Sequence, residues 1–152
     1  PEGKVPALVQ DGTLITETAA IILTLTDAFP DTSLAPKAGD PQRGAYLTWL
    51  FWYGSVMEPV LVLEAAGLSH PMLRATFRGH AEVQARLRNA LDAGPWLLGD
   101  TYSAADLLVH SPYAWFRDFL PDDPVIRDWV DRCMARPAPA RMRARDTAWA
   151  LG

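Results

Sequence analysis

The 152-residue sequence contains very little cysteine and histidine. Its single cysteine, Cys133, excludes an internal disulfide framework and a zinc site built from cysteines. The three histidines, His70, His80 and His110, have a spacing that suits no shared metal site on one helix, so we expect no metal. A lone cysteine is typical of proteins in a reducing compartment, and we therefore expect a cytoplasmic location.

The sequence also lacks an excess of positive charge and any long apolar run. A formal net charge of −4 argues against a broad basic surface for nucleic acid. No run approaches the roughly 18 apolar residues that predict a membrane span, so we expect no membrane partner. Hydrophobic residues nevertheless make up 49% of the chain and charged residues 21%, which predicts a packed core.

The first 28 residues have the pattern of a β-hairpin followed by a helix. Short apolar runs at 5–9 and 13–16 flank an Asp-Gly turn, and residues 17–28 are helical in character. Pro6 falls inside the first strand, where it removes a hydrogen-bond donor, so that strand belongs at an edge or a bend. Because a lone hairpin is marginally stable, we expect partner strands upstream of Pro1.

A change of composition divides the chain. Residues 30–40 are rich in Pro, Asp, Ser and Gly, which is typical of a linker. Helical patterns follow at about 41–66, 71–92, from 103, 124–136 and 138–146. We therefore predict an α/β segment at 1–29, a linker at 30–40 and an all-helical domain at 41–152. The predicted fold class is α/β plus all-α.

Glu17 and Thr18 lie at the predicted start of the helix after the hairpin. Backbone amides point outward there, and the helix dipole favours an anion. A carboxylate side chain beside those amides could hold an ammonium group, while the amides and the Thr18 hydroxyl hold a carboxylate. The pair could thus bind an amino-acid zwitterion. Plain helix capping is the alternative interpretation.

The stretch GDTYSAADLLV predicts a structural feature rather than a catalytic one. Ser103 and Asp106 have the spacing of a capping box, in which each residue's side chain bonds the other's backbone amide. We expect this box to fix the start of a buried helix.

The predicted helix at 41–66 is apolar on nearly all sides. Such a helix must be covered on more than one side. Four of its residues are candidates for an apolar substrate pocket, and packing in the core or a dimer face is the alternative for each: Trp49, Tyr53, Val56 and Met57. Pro59 is expected to kink the helix or break its hydrogen bonding.

Taken together, several segments resemble the glutathione transferase superfamily in order and spacing. They are GKVPALV, TETAAI, DPQRGAYLTWLFW, GDTYSAADLLV and RDWVDRCMARPAPAR. The resemblance extends over essentially the whole chain. It implies the C-terminal part of a thioredoxin-like domain, followed by an all-helical bundle of the glutathione transferase type.

The resemblance also implies roles for individual residues. Pro6 corresponds to the superfamily's cis-proline, which leaves the backbone of Val5 to pair with the cysteinyl part of glutathione. Glu17 and Thr18 correspond to the pair that binds the γ-glutamyl end, where Ser is more usual than Thr. Lys4 would lie near the anionic glycine end.

The function implied is a glutathione S-transferase that transfers the thiolate of glutathione to an electrophilic apolar substrate, working as a homodimer. The family's thiol-activating Tyr, Ser or Cys lies near the first strand, so we expect the catalytic residue to be N-terminal to Pro1. A non-catalytic glutathione transferase-like binding or interaction protein is the alternative.

Overall fold

The structure is a computed structural model that describes residues 3–150. A two-stranded antiparallel sheet precedes eight α-helices: β1 (Leu8–Gln10), β2 (Thr13–Ile15), α1 (Thr18–Ala28), α2 (Arg43–Trp52), α3 (Glu58–Ala65), α4 (Pro71–Phe77), α5 (His80–Leu91), α6 (Ala104–Trp115), α7 (Pro124–Met134) and α8 (Pro137–Ala150). The predicted fold class, a small α/β segment followed by helices, is therefore confirmed.

The hairpin has the predicted turn. Leu8 pairs with Ile15, and the turn residues Asp11 and Gly12 both have positive φ. Two central residues with φ above zero give a turn whose twist matches the twist of the strands, and an Asp-Gly pair adopts it readily. The strands are shorter than predicted, because the residues around Pro6 do not join the ladder.

Helix α1 is attached to the helical region by polar contacts on one side. The Arg43 guanidinium donates to both oxygens of Asp27 at 3.0 and 3.1 Å, and to the Pro36 carbonyl at 2.8 Å. The hydroxyls of Thr26 and Tyr46 lie 3.4 Å apart in a buried position. These contacts tie the segment that follows the hairpin to the first helix of the bundle.

The predicted helix at 41–66 is one helical path with a defect. Between α2 and α3, residues Tyr53–Met57 form a π-helical turn. Pro59 has no N–H for the carbonyl of Ser55, four residues earlier, and its ring would clash with that carbonyl. The wider π-turn just before Pro59 accommodates this loss, so the predicted disturbance is confirmed and located.

The prediction of one helix at 71–92 is wrong. The chain breaks between α4 and α5, where Arg78 has a φ of 66° and Gly79 is extended with a φ of −165°. The Arg78 amide closes α4 by donating to the Arg74 carbonyl at 3.0 Å. Gly79 then serves as the residue before α5, a position that its flexibility suits.

Asp106 is the most connected side chain of the core. It is fully buried, and one carboxylate oxygen accepts from the Leu97 amide at 2.9 Å and from the Trp129 indole at 3.0 Å. The other oxygen accepts from the Ser103 amide at 3.0 Å, which completes the predicted capping box. The box thus fixes the start of α6 and also joins it to α7.

Helix α6 contains an internal proline whose effect is locally compensated. Pro112 cannot donate to the carbonyl of Leu108, four residues earlier. The Ser111 hydroxyl donates to that carbonyl instead, at 2.7 Å. The helix therefore continues to Trp115 across the proline.

The last helix is longer than the predicted 138–146, and the one before it is slightly shorter than the predicted 124–136. Every described residue of α8 from Arg141 onward is exposed, so its length does not depend on burial. Within residues 3–150, no helix combines the length and the apolar character needed to cross a bilayer.

Candidate functional site

Residues 3–7, just before β1, form an exposed, irregular stretch. The Val5–Pro6 peptide bond is cis, the isomer that the resemblance implies. The Val5 side chain is 92% exposed, and Lys4 is exposed beside it. The backbone of this stretch lies outside the β-ladder, so the ladder does not use its polar groups.

Glu17 has an unusual backbone at the start of α1. Its φ is 68° and its ψ is 119°, a region that residues other than glycine rarely adopt. Its carbonyl accepts the first helical bond, from Ile21 at 3.0 Å. The Glu17 side chain is exposed and makes no capping hydrogen bond to the helix. Plain capping by this carboxylate is therefore not what the structure has.

The absence of a side-chain cap leaves the first amides of α1 without that partner. Thr18 is the first helical residue and is half-buried. The amides of the first turn of an α-helix have no intrahelical acceptor, and they carry the positive end of the helix dipole. This end of α1 is thus suited to receive an anionic group.

The hairpin register brings the two predicted binding segments to the same end of the ribbon. Since Leu8 pairs with Ile15, the residues just before Leu8 and just after Ile15 both lie opposite the Asp11-Gly12 turn. The stretch with Val5 and Pro6, and the helix start with Glu17 and Thr18, therefore both lie at this end of the ribbon.

The four residues predicted for an apolar pocket are separated by the structure. Met57 is fully buried and Trp49 is 7% exposed, and both belong to the core of the helical region. Tyr53 and Val56 are half-buried and retain accessible surface. The Tyr53 hydroxyl donates to Glu58 at 3.2 Å. Burial, followed by the nearby Glu58 charge, raises the pKa of Tyr53 to about 12.

The cysteine and the histidines have structural surroundings. Burial raises the pKa of the Cys133 thiol, which makes it a poor nucleophile at neutral pH. His70 caps α4 by accepting from the Met72 amide, and His80 contacts Glu64 at 2.6 Å. Among residues 3–150, no three His, Cys, Asp or Glu side chains group in a way that could hold a metal ion.

Two arginines have roles that the sequence pattern did not indicate. Arg43 joins α1 to the bundle, and Arg86 lies against two indole rings, 4.9 Å from the centre of Trp49 and 4.8 Å from that of Trp52. Partial burial lowers the pKa of Arg86, although the group stays charged at neutral pH. A local sequence pattern predicts neither the Arg43–Asp27 contact nor the contacts of Arg86 with the two indoles, because each joins residues that are 16 or more positions apart.

Family comparisons agree with this architecture. A family model described as the glutathione S-transferase N-terminal domain matches residues 1–33, and one described as the C-terminal domain matches residues 60–137. The chain belongs to the glutathione S-transferase family. The α/β segment is thus part of a thioredoxin-like domain, and the remaining helices form a bundle of the glutathione S-transferase type.

Individual relatives are moderately similar. The disulfide-bond oxidoreductase YfcG of Escherichia coli strain K12 is 32% identical over 157 residues, covering 91% of this chain and 70% of YfcG. A glutathione transferase from Methylococcus capsulatus strain Bath has a TM-score of 0.80 at 29% identity, covering 97% of this chain and 76% of that one.

A further similar solved structure contains bound glutathione. A sphingomonad glutathione S-transferase complexed with glutathione is 29% identical and has a TM-score of 0.76. The alignment covers 95% of this chain and 75% of that enzyme.

Proposed function

We propose that this family member binds glutathione at the end of the hairpin opposite its turn and transfers the thiolate to an electrophilic apolar substrate. The observation that carries the proposal is Glu17. Its side chain is exposed, makes no bond to its own helix, and sits on a backbone in a sparsely populated region. Strain of this kind costs about 1–3 kcal/mol and concentrates at functional sites.

The γ-glutamyl end of glutathione carries both an ammonium and a carboxylate. The carboxylate of Glu17 is free to hold the ammonium through charge-assisted hydrogen bonds. The open amides of the first turn of α1, with the Thr18 hydroxyl, suit the carboxylate. A zwitterion therefore finds an opposite charge for each of its two ends within two successive residues.

The cysteinyl part and the glycine end of the tripeptide are assigned to the residues just before β1. The backbone N–H and C=O of Val5 are outside the β-ladder and can pair with the cysteinyl peptide as an added strand would. The exposed Lys4 ammonium suits the carboxylate of the glycine end. Pro6 sets the direction of the chain between Val5 and β1.

The chemical step forms a bond between sulfur and carbon. The glutathione thiol gives its proton to solvent, and the thiolate attacks the electrophilic carbon. It either displaces a leaving group, which departs with the bonding electrons, or adds to a double bond whose other carbon then takes a proton from solvent. The residues of this chain supply binding and orientation. The thiol-activating group is expected N-terminal to Pro1. Of the four predicted pocket residues, Tyr53 and Val56 have the accessible surface to contact an apolar substrate.

The similarity to YfcG, named a disulfide-bond oxidoreductase, favours a second candidate reaction. There the glutathione thiolate would attack a disulfide, form a mixed disulfide and release a thiolate. A second glutathione would then release the other thiol and leave oxidised glutathione. Both reactions use the same binding residues.

The binding assignment is tested by calorimetric titration of the purified protein with glutathione. We expect binding that Glu17→Ala weakens at least about tenfold, because a hydrogen bond to a charged group is worth about 1.5–3 kcal/mol. Glu17→Gln should also weaken binding, since it keeps the size and removes the charge. The control is Asp118→Ala, an exposed acid in the short 3₁₀ turn after α6.

Two results would contradict the assignment. One is no binding by the unchanged protein, and the other is equal affinity of the unchanged protein and Glu17→Ala. Conjugation of chlorodinitrobenzene and reduction of hydroxyethyl disulfide then separate the two reactions. Glutathione binding with neither activity would favour the non-catalytic binding protein.

We also propose that the protein is a cytoplasmic homodimer. Exposed apolar side chains on α2 and α3 support a protein contact there, with Phe51 61% and Val62 59% exposed. Sedimentation equilibrium should give twice the mass of the chain, and Phe51→Glu should lower it. A monomeric mass for the unchanged protein would reject the dimer.

A further inference from the structure

A cavity lies between the end of α3, helix α4 and the start of α5, away from the hairpin. Its volume is about 260 Å³, slightly below the roughly 300 Å³ at which pockets for drug-sized molecules begin, so it suits a smaller ligand. Among the residues that the structure describes, none from the hairpin, α1 or the π-helical turn lines it. The residues proposed for glutathione and for its electrophile are therefore not part of this cavity.

The cavity wall has an apolar part. Leu63, Leu73 and Phe77 are half-buried, so each keeps surface that a ligand can cover, and Leu68 is 60% exposed. Apolar side chains around a concave surface favour an apolar ligand. The Phe77 ring favours an aromatic one, because two aromatic rings attract each other beyond the effect of the area they bury.

Two of the three charged side chains in the described wall already have a partner. The Glu64 carboxylate contacts Nδ1 of His80 at 2.6 Å, and Arg78 pairs with Glu82 at 3.5 Å. Because a carboxylate only accepts, Nδ1 of His80 carries the proton of that bond. These contacts reduce what Glu64 and Arg78 can offer to a ligand.

Arg74 is the third charged side chain of the wall, and it forms no ion pair with another residue between 3 and 150. Its guanidinium donates to the hydroxyl of Ser69 at 2.8 Å, and Ser69 lines the same cavity. That bond uses one of the five N–H groups of an arginine. The contact also restrains the Arg74 side chain, which lowers the entropy lost when a ligand binds to it.

His70 adds a hydrogen-bond donor to the same wall. Its Nδ1 accepts from the Met72 amide at 3.2 Å, so the neutral ring carries its proton on Nε2. The wall thus combines this donor with the unpaired positive charge of Arg74. Such a combination is suited to an anion, because hydrogen bonds to a charged acceptor are the stronger ones.

We propose that the cavity between α3, α4 and α5 binds small aromatic carboxylates, and that Arg74 binds the carboxylate group. A guanidinium and a carboxylate match in a planar, bidentate arrangement. One unpaired guanidinium balances one negative charge, which favours a carboxylate over a dianionic phosphate ester. The apolar part of the wall covers the aromatic ring of the same molecule.

The test compares two probes of nearly the same shape. Naphthoate carries a carboxylate on its ring system, and naphthamide carries a neutral amide in the same place. Equilibrium dialysis against the unchanged protein should show naphthoate binding about tenfold more tightly, because charge-assisted hydrogen bonds are about twice as strong as neutral ones. Equal affinities for the two probes, or no binding of naphthoate, would overturn the proposal.

Two variants assign the effect to this cavity. Arg74→Gln removes the charge and keeps a polar side chain, so it should weaken naphthoate about tenfold and leave naphthamide within about twofold. Leu68→Glu puts a negative charge on the wall and should weaken naphthoate at least about fivefold by repulsion. Both positions are exposed, so both variants are expected to fold.

The matched control is Arg141→Gln, which changes an exposed arginine of α8 that does not line the cavity. It should leave the affinity for both probes unchanged. An equal loss of naphthoate binding in Arg141→Gln and Arg74→Gln would indicate a general attraction of anions and reject the site. Unchanged naphthoate binding in Arg74→Gln or in Leu68→Glu would reject the cavity as well.

The outcomes remain separate from those for glutathione. None of these variants changes a residue assigned to glutathione, so calorimetric titration with glutathione should be unaffected. An excess of glutathione should not displace naphthoate from the protein. Displacement would place the probe at the proposed glutathione site and overturn the assignment to Arg74.

Discussion

The hairpin segment and the helical region differ in how many of their side chains are buried. From β1 through α1, the buried residues are Ile21 and Thr26, and most of the hairpin is exposed. The helical region contains nearly the whole core, including three fully buried aromatic side chains, Tyr46, Tyr113 and Trp129. Stability therefore belongs mainly to the helices, while the proposed ligand contacts belong to the segment that contributes least to stability.

This division predicts that changes in the helical core act on the whole molecule. The largest effect is expected from Asp106→Ala, which leaves the amides of Leu97 and Ser103 and the Trp129 indole without their acceptor. Each orphaned donor costs about 1 kcal/mol or more, so the free energy of unfolding should fall by at least about 3 kcal/mol. Urea denaturation measures it.

The matched control for that variant is Asp128→Ala, an exposed acid on α7. It should change the unfolding free energy by less than about 0.5 kcal/mol. Similar losses of unfolding free energy in both variants would contradict the role of the Asp106 carboxylate in connecting α6 to α7.

A middle-sized effect is expected where the two regions meet. Arg43→Gln removes the two bonds to Asp27 and weakens the bond to the Pro36 carbonyl. We expect a loss of about 1 kcal/mol in unfolding free energy, together with faster amide exchange in α1 than in α7. Lys37→Gln, which alters the exposed pair with Asp31 at 3.8 Å, should change neither. Equally faster exchange in α7 would contradict a local role.

A smaller effect on the free energy of unfolding is expected from the ionisation of Asp123, and it depends on pH. Partial desolvation tends to raise the pKa of Asp123, but the amides of Ile126 and Val125 and the Arg88 guanidinium outweigh it, and the pKa is lowered. A depressed carboxyl pKa stabilises the fold above the unfolded value and loses that contribution as pH falls through the folded value.

The unfolding free energy should therefore decline less steeply below about pH 4 in Asp123→Asn than in the unchanged protein. Thermal unfolding between pH 2 and pH 6 tests this. Parallel curves for the two proteins would mean that Asp123 does not contribute to acid unfolding.

The smallest effect on stability is expected at the proposed ligand site. Glu17→Gly relieves the positive φ, which should offset the greater backbone entropy of glycine and leave the unfolding free energy within about 1 kcal/mol of the original. Glutathione binding should nevertheless weaken at least about tenfold, as in Glu17→Ala. A Glu17→Gly variant that binds glutathione as tightly as the unchanged protein would contradict the proposed role of the Glu17 carboxylate.

Local patterns predicted the parts of this molecule that local chemistry determines. The Asp11-Gly12 turn, the capping box at Ser103 and the disturbance at Pro59 all depend on residues within a few positions of one another. The break at Arg78 was not predicted, because arginine is a good helix former and one glycine after it is a weak signal. The second role of Asp106 depends on Trp129, 23 residues away.

In the candidate site, too, local patterns predicted some features, whereas others depend on contacts between residues that are distant in the sequence. The sequence pointed to Pro6 and Glu17 as exceptions to regular structure, and the register of the hairpin places both at the end opposite its turn. Trp49 and Met57 could not be assigned to pocket or core from an apolar pattern alone, since burial on several sides depends on which helices pack around them.

The segment that precedes α2 has one contact with implications for modularity. The carbonyl of Leu34 accepts from the Ala104 amide at 2.7 Å, so a residue of the predicted linker supplies an acceptor to the first turn of α6. A helical fragment beginning at residue 41 would lack that acceptor, whereas one beginning at about residue 33 would retain it. When halves of related proteins are recombined, a junction before Leu34 keeps this contact within the helical half.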